Sequence, residues 1–265
     1  MPFSEKYGRT LHAPNSLGST SDDRFMPKGY LNHFTAMPAL VLTEKLDGQN
    51  NCLNRHGVFA RSHIAPSQHP WDKPLWDRWQ LLRNDLKSLE VFGENLFGIH
   101  SIAYSKLESY FYVFAIRENS RWLSWEEVNF YASLMDLPTV PEIQIEKPLI
   151  DFCQNNASEI EALDKWLTHH LQLPWTEYIH TPGMLGGYEY KSQQPACEGL
   201  VVRNAQGFKQ AGNFLPKEER AFDQLFKLVR PSHVKTEVHW TKTWKSASII
   251  NCEKYKWYHY NYRQS

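Results

Sequence analysis

The chain has no charge to spare: 29 lysines and arginines balance 29 aspartates and glutamates. No global field advertises a polyanionic partner, so any basic surface must be local. Cysteine is scarce as well. Cys52, Cys153, Cys197 and Cys252 lie far apart and form no C-x-x-C pair, which argues against a zinc site and for a reduced compartment. The N-terminus lacks the apolar core of a signal sequence, and no run has the roughly 18 apolar residues of a membrane span. A cytoplasmic protein without a membrane partner is expected. Internal repeats and low-complexity stretches are missing too. What is present, 42 % hydrophobic and 14 % aromatic residues in 265, suffices for a large core in one main domain with an appendage.

The chemistry gathers in Val41-Leu42-Thr43-Glu44-Lys45-Leu46-Asp47-Gly48-Gln49-Asn50, where an apolar run breaks into a lysine between two carboxylates, then a glycine and two amides. A lysine at the end of a buried strand is held at fixed depth, and Gly48 lets the backbone turn sharply or approach a ligand closely. An ammonium is not a nucleophile. With an ordinary pKa near 10.4, about 0.1 % of such a lysine is neutral at pH 7.4, so covalent work requires burial or neighbouring cations to lower that pKa. The plainer reading is a surface lysine paired with Glu44 or Asp47. Next, Asn51-Cys52-Leu53 and Val58-Phe59-Ala60 flank Asn54-Arg55-His56-Gly57 as a hairpin with a glycine turn. The returning strand brings Arg61 back toward Lys45, where its guanidinium can hold a phosphate, the alternative being a solvated arginine at a strand end.

Residues 1–35, rich in Gly, Pro, Ser and Asn, read as an irregular arm packed on the domain. His63 and His69 sit in a proline-containing loop without a third ligand nearby, so no metal role is expected of them. Leu75, Trp79, Leu82, Leu86 and Leu89 form a helical stripe. The Gly93-x-x-x-x-Gly98 spacing invites comparison with a phosphate-binding loop and fails it, because Ile99-His100 stand where Lys-Ser/Thr is needed. What survives is Glu94, a carboxylate where a strand emerges. Tyr110 to Ile116 is apolar on both faces and so central in a sheet, and one of its aromatics can stack on a base, although core packing is the plainer reading of the run. Ser124-Trp125-Glu126-Glu127 is a capping box opening a helix that Pro138 stops, and a second helix spans about Ser158 to Leu171. Glu198-Gly199-Leu200-Val201-Val202-Arg203 repeats the Glu94 arrangement at the mouth of a β-branched strand, and Phe226-Lys227-Leu228-Val229-Arg230 places two cations on a short strand before Pro231.

In this order, Lys45-x-Asp47-Gly48, Arg61, Phe92-Gly93-Glu94, Val113-Phe114-Ala115-Ile116, Glu198-Gly199-x-Val201 and Lys227 resemble motifs I, Ia, III, IIIa, IV and V of the covalent nucleotidyltransferases. That superfamily contains ATP-dependent RNA ligases, DNA ligases and mRNA capping enzymes. Glu44 before the lysine, Asn50 five after it, and the closing Lys227-Leu228-Val229-Arg230-Pro231 look most like RNA ligases. The resemblance implies an α+β fold, an ATP-grasp-like ligase domain of antiparallel sheets flanked by helices over residues 1–230, with a tail at 231–265. It implies that Lys45 attacks the α-phosphate of ATP to form lysyl-AMP, that the adenylate moves to an RNA 5′-phosphate, and that a 3′-hydroxyl displaces AMP to seal the strand in RNA repair. Glu198 and Lys227 join Lys45 as catalytic residues. Asp47, Glu94 and Glu198 would hold a hydrated Mg²⁺, with Mn²⁺ as a substitute, and Glu94 can instead contact the ribose. Arg61 and Lys227 would grip phosphate, Phe114 would stack on adenine, and Glu44 and Asn50 would support the nucleotide or RNA ends. Mg²⁺ and Lys227 would depress the Lys45 pKa, a three-unit depression being worth about 4 kcal/mol.

Two positions depart from the family pattern: Ala115 stands where an acid usually follows the phenylalanine, and Val229 where a second lysine is common, with Arg230 as its stand-in. The 35 residues after Arg230 are too few for the OB barrel of DNA ligases and capping enzymes. From Arg230 onward seven cations face two carboxylates, interleaved with Trp240, Trp244, Tyr255, Trp257, Tyr258, Tyr260 and Tyr262. Cations and aromatic faces in that mixture suit single-stranded RNA, the alternative being that the aromatics pack back on the domain. A monomer acting on RNA ends, with an end-healing kinase or phosphatase as partner, is expected. The rival readings are a DNA ligase or capping guanylyltransferase and a catalytically silent nucleotide- or RNA-binding module.

Overall fold

The computed structural model describes residues 7–19, 21–61, 65–154, 158–209, 221–231, 241 and 244–250. His63, Cys252 and most of the basic aromatic tail lie outside them.

Two sheets make up the frame. The first has five strands in the order β1 (Arg9–His12), β13 (Ala221–Val229), β11 (Gly199–Asn204), β2 (Leu40–Lys45) and β9 (Glu142–Ile143), and all its pairings are antiparallel except β1 with β13. The second has six in the order β12 (Phe208–Lys209), β8 (Arg121–Trp122), β7 (Phe111–Glu118), β5 (Leu89–Asn95), β3 (Gln49–Asn54) and β4 (Gly57–Ala60), antiparallel throughout. A ribbon of β6 (Ile102–Tyr104) and β10 (Gly187–Glu189) stands apart. The helices are α1 (Tyr30–Thr35), α2 (Lys73–Leu82), α3 (Trp125–Leu134), α4 (Ile150–Cys153), α5 (Glu159–Leu171) and α6 (Trp175–Tyr178). This is an α+β architecture of antiparallel sheets flanked by helices, and among the described residues neither sheet closes into a barrel.

Alternation along the strands sorts the side chains into three layers. On the outer face of the first sheet, Leu11, Leu42, Leu200, Val202, Phe226 and Leu228 pack under α1 and α5. Burying Leu163, Trp166 and Leu167 of α5 there stabilises the fold by roughly 1.5–3 kcal/mol per side chain. On the outer face of the second sheet, Val91, Val113 and Ile116 meet α2 and α3. Where the inner faces meet, Cys52, Phe59, Phe92, Ala115 and Trp122 of the second sheet touch Leu225 and Val201 of the first.

The hairpin, the helix behind Ser158 and the capping box form as their sequences dictate: Ser124 Oγ accepts from Glu127 N, and Glu127 in turn accepts from Ser124 N. Two expectations are corrected. The stripe from Leu75 to Leu89 is not one helix: α2 ends at Leu82, Lys87 takes a positive φ of 45°, and Leu89 opens β5. The arm is not irregular throughout, since it supplies the edge strand β1 and the helix α1. Downstream, residues 244–250 lie against the domain, with Ile99 N donating to Lys245 O, Ala247 N to Phe97 O, and the Trp244 ring 5.7 Å from that of Phe97 and 6.0 Å from that of Trp71. Among the described residues no helix is long and apolar enough to cross a membrane.

Candidate active site

β2 delivers Lys45 to the inner face, level with Gly199 of β11, while Val201 of the same strand is level with Thr43 and Lys227. Lys45 Nζ lies 2.7 Å from Glu198 Oε1, with the lysine side chain 25 % exposed and the glutamate 4 %. Gly199 is obligatory for this approach, because a Cβ there would lie 1.9 Å from the carbonyl oxygen of Leu228. Gly48 is as constrained: its N–H donates to Glu94 Oε1 at 3.1 Å, and a Cβ would lie 2.5 Å from Asn95 O. Lys45, Glu198, Glu94 and Asp47 thus share one electrostatic site.

The two glutamates and two lysines of that site are perturbed. Burial pushes Glu94 up to about 8 and Glu198 up to about 7, with the neighbouring carboxylates adding to both and Lys45 opposing. For Lys45, burial works downward, but Glu198, Glu94 and Asp47 outweigh it and hold the amine above its usual value. That is the reverse of the depression expected from the sequence, for a physical reason: three carboxylates around the amine stabilise its ammonium. The depressed lysine is Lys227, brought down to about 8 by burial first and then by Lys45, with Asp23 opposing from 3.6 Å. Arg61, itself exposed, lies within electrostatic reach of Lys227.

Asp47, expected among the metal ligands, is anchored through one of its two oxygens. Its Oδ2 accepts from Ser101 N at 2.8 Å, Ser101 Oγ at 2.6 Å and Ile102 N at 2.8 Å, and its own N–H donates to Tyr104 OH at 2.7 Å. Through that one oxygen the carboxylate fixes the lysine's turn to β6. Among the described residues no three His, Cys, Asp or Glu side chains converge to hold a metal ion by themselves. Glu198 keeps capacity to spare, since its Oε2 is buried without a hydrogen-bond partner. Asn50 stands opposite Glu94 in the β3–β5 register, and its Oδ1 is likewise buried without a partner.

Phe114 owes its position to a β-bulge. Phe92 pairs with Ala115 but Gly93 with Val113, so Phe114 is the extra residue, and both Phe114 and Ala115 pack with the inner-face cluster. The half-buried Tyr7 lies edge-on to it at 5.1 Å. Two further residues are not brought to the lysine's polar site. Glu44, one residue out of phase with Lys45, accepts from Tyr178 OH and from Met184 N on the opposite face. Arg230 is buried and donates to Glu189 Oε1 at 2.6 Å and Ser101 Oγ at 3.1 Å, which makes it a brace behind Asp47 rather than a free phosphate hand. Ser101, Tyr104 and Glu189 were missed by sequence reasoning, and no local signal marks them. His69 stacks on Trp71 at 4.6 Å.

An inner-face lysine ion-paired to a strand-end glutamate, with a second strand-end glutamate and a second lysine beside it, is the construction of a site for handling phosphate groups. The RNA ligase family model matches residues 38–229, and the chain belongs to the RNA ligase family. No curated protein matches. Among solved structures, an archaeal ATP-dependent RNA ligase is similar at 13 % identity and a TM-score of 0.46, over 85 % of this chain and 48 % of that one. A Naegleria gruberi RNA ligase, solved as a lysine mutant with ATP and Mn, is similar at 15 % identity and a TM-score of 0.40, over 85 % and 61 %. The chain thus spans about half to three fifths of the length of these structures.

Proposed function

We propose that the protein is an ATP-dependent RNA ligase in which Lys45 becomes covalently adenylylated. The observation carrying this reading is the Lys45–Glu198 contact at 2.7 Å on the inner face, with Glu94 and Lys227 in the same field. Lys45 Nζ attacks the α-phosphorus of ATP, a nitrogen–phosphorus bond forms, the bond to pyrophosphate breaks, and the amine loses a proton. The AMP then passes to an RNA 5′-phosphate, and a 3′-hydroxyl displaces it to make the phosphodiester. Each step is displacement at phosphorus, so the protein contributes mainly position and charge. Lys227 and Arg61 hold phosphate oxygens. Phe114, turned inward by its bulge, faces the base, and Asn50 offers its unsatisfied amide to the nucleotide.

Mg²⁺, or Mn²⁺ in its place, fits Glu94 and the spare oxygen of Glu198, because such an ion keeps most of its waters and needs only one or two carboxylates beside substrate phosphates. Bound there, it supplies the positive charge that relieves two glutamates pushed toward neutrality. Asp47 supports this arrangement by holding the turn, Arg230 supports Asp47 through Ser101, and Glu44 fixes the segment at Tyr178 and Met184. RNA ends with a 5′-phosphate and a 3′-hydroxyl are the substrates, prepared by a healing kinase or phosphatase. The test is incubation with radiolabelled ATP or GTP and Mg²⁺. Protein–AMP detected by mass, absent in Lys45→Ala and chased by 5′-phosphorylated RNA, is the expected result. Labelling by GTP alone would point to a guanylyltransferase, and no adduct at all would leave only a binding module.

A further inference from the structure

The edge strand β1 sets His12 level with Lys227 in the parallel register. His12 is fully buried, with Nδ1 2.8 Å from Ser16 Oγ and Nε2 3.2 Å from Asp23 Oδ1. Ser16 Oγ accepts from Val229 N at 3.0 Å and so has its own proton to give to Nδ1. The other ring nitrogen, Nε2, faces Asp23, whose same Oδ1 lies 3.6 Å from Lys227 Nζ. The series begins at Val229 and returns to Lys227, two residues away on β13, and every link between comes from the arm.

We propose that Ser16, His12 and Asp23 form a clasp that holds the Lys227 side chain, with Asp23 the positioning residue for Lys227 and His12 the residue that aims Asp23. None of the three belongs to the motifs running from Lys45 to Lys227, and the inference rests on the reading of Lys227 as a phosphate contact. The charged groups acting on Lys227 are Lys45, Asp23, Glu198 and Arg61. Of these, Asp23 and Glu198 favour its ammonium, and Glu198 is engaged by Lys45. Asp23 therefore keeps a buried lysine charged and pointed. A purely structural His–Asp pair would tie the arm to the sheet without altering Lys227.

Two measurements on the full chain separate these roles. Competitive acetylation of Lys227 against pH, read by mass spectrometry, gives its titration midpoint, and the side chain is exposed enough at 19 % for the reagent to reach it. Asp23→Asn should lower that midpoint by about one unit, the effect of one carboxylate within about 4 Å. In parallel, the KM for ATP in lysyl-AMP formation should rise several-fold in Asp23→Asn, more at pH 8.5 than at pH 6.5. His12→Gln, whose amide nitrogen can take the place of Nε2, should restore wild-type values, while His12→Phe should copy Asp23→Asn. Should His12→Phe fail to fold, the part-exposed Asp23 still decides the matter. An unchanged midpoint and KM in folded Asp23→Asn would overturn the clasp while leaving Lys45 adenylylation standing. A shifted midpoint in a protein that forms no adduct would uphold the clasp and overturn the ligase reading.

Discussion

Replacing Lys227 by methionine should make the protein more stable and inactive. Burial and Lys45 hold Lys227 at about 8 against an ordinary 10.5. Below pH 8 both the folded and the unfolded chain carry the proton, so the folded state bears the full cost of the buried charge. Between pH 8 and 10.5 the folded state gives up its proton while the unfolded state keeps it, and stability rises with pH. A shift of roughly 2.5 units corresponds to about 3 kcal/mol, a ceiling that the exposed fifth of the side chain brings down to about 1–2 kcal/mol. Methionine matches the length and volume of lysine without its charge, and Asp23 keeps His12 as a partner. Urea unfolding of wild type and Lys227→Met at pH 7 and pH 9.5 provides the assay. The variant should be more stable at pH 7, and the gap should narrow by about half at pH 9.5, closing only above the unfolded-state value of 10.5. A variant less stable at pH 7, or a gap independent of pH, would refute the reasoning.

Gly48→Ala should cost about 1–3 kcal/mol and displace Glu94, because its Cβ meets Asn95 O at 2.5 Å and Leu96 Cδ2 at 2.7 Å. Protein–AMP formation and a thermal melt report both effects, and a fully active, unshifted variant would contradict the close packing. Arg230→Met removes the ion pair with the one-third-exposed Glu189 and releases Ser101, and losing these charge-assisted hydrogen bonds should cost about 1–3 kcal/mol. A double-mutant cycle with Glu189→Gln measures the coupling, which the contact requires to be clearly non-zero. Trp244→Ala removes ring contacts with Trp71 and Phe97 and should cost about 2–3 kcal/mol in chemical unfolding. An unchanged midpoint would mean that residues 244–250 lie on the domain without helping to hold it.

Where sequence signals are local, they were legible. The apolar run of β2, the glycine-turn hairpin and the Ser124 capping box each carry their cause within a few residues. Glu94 and Glu198 were visible as carboxylates at strand ends. Features set by distant partners were not legible. Four residues of β1 have no pattern of their own and become a strand only because β13 lies beside them. The bulge at Phe114 is a matter of register against β5, invisible in a run apolar on both faces. Asp47 and Arg230 have the residue types of a phosphate site, but their commitments to Ser101 and Glu189 depend on a ribbon formed by segments near residues 100 and 190. Leu86 and Leu89 keep the helical spacing and the same core, so the end of α2 was masked by side chains that still point inward.

The pairing of β1 with β13 also sets an order of assembly. Five of the second sheet's six strands, β3, β4, β5, β7 and β8, lie within residues 49–122, so their contacts can close as soon as that stretch exists, and only the short edge strand β12 joins later. The first sheet cannot close that way: β2 must wait for β11, and β1 must wait for β13, the last strand of the chain to be described. Loop-closure entropy makes such long-range, partly parallel pairing the slow part of folding. During synthesis on a ribosome, Lys45 is therefore made early but meets Glu198 and Lys227 only after nearly the whole domain has emerged. Until then the edge of β2 is open, and the nascent chain relies on the five early strands of the second sheet as the template on which the face bearing Lys45 is laid down.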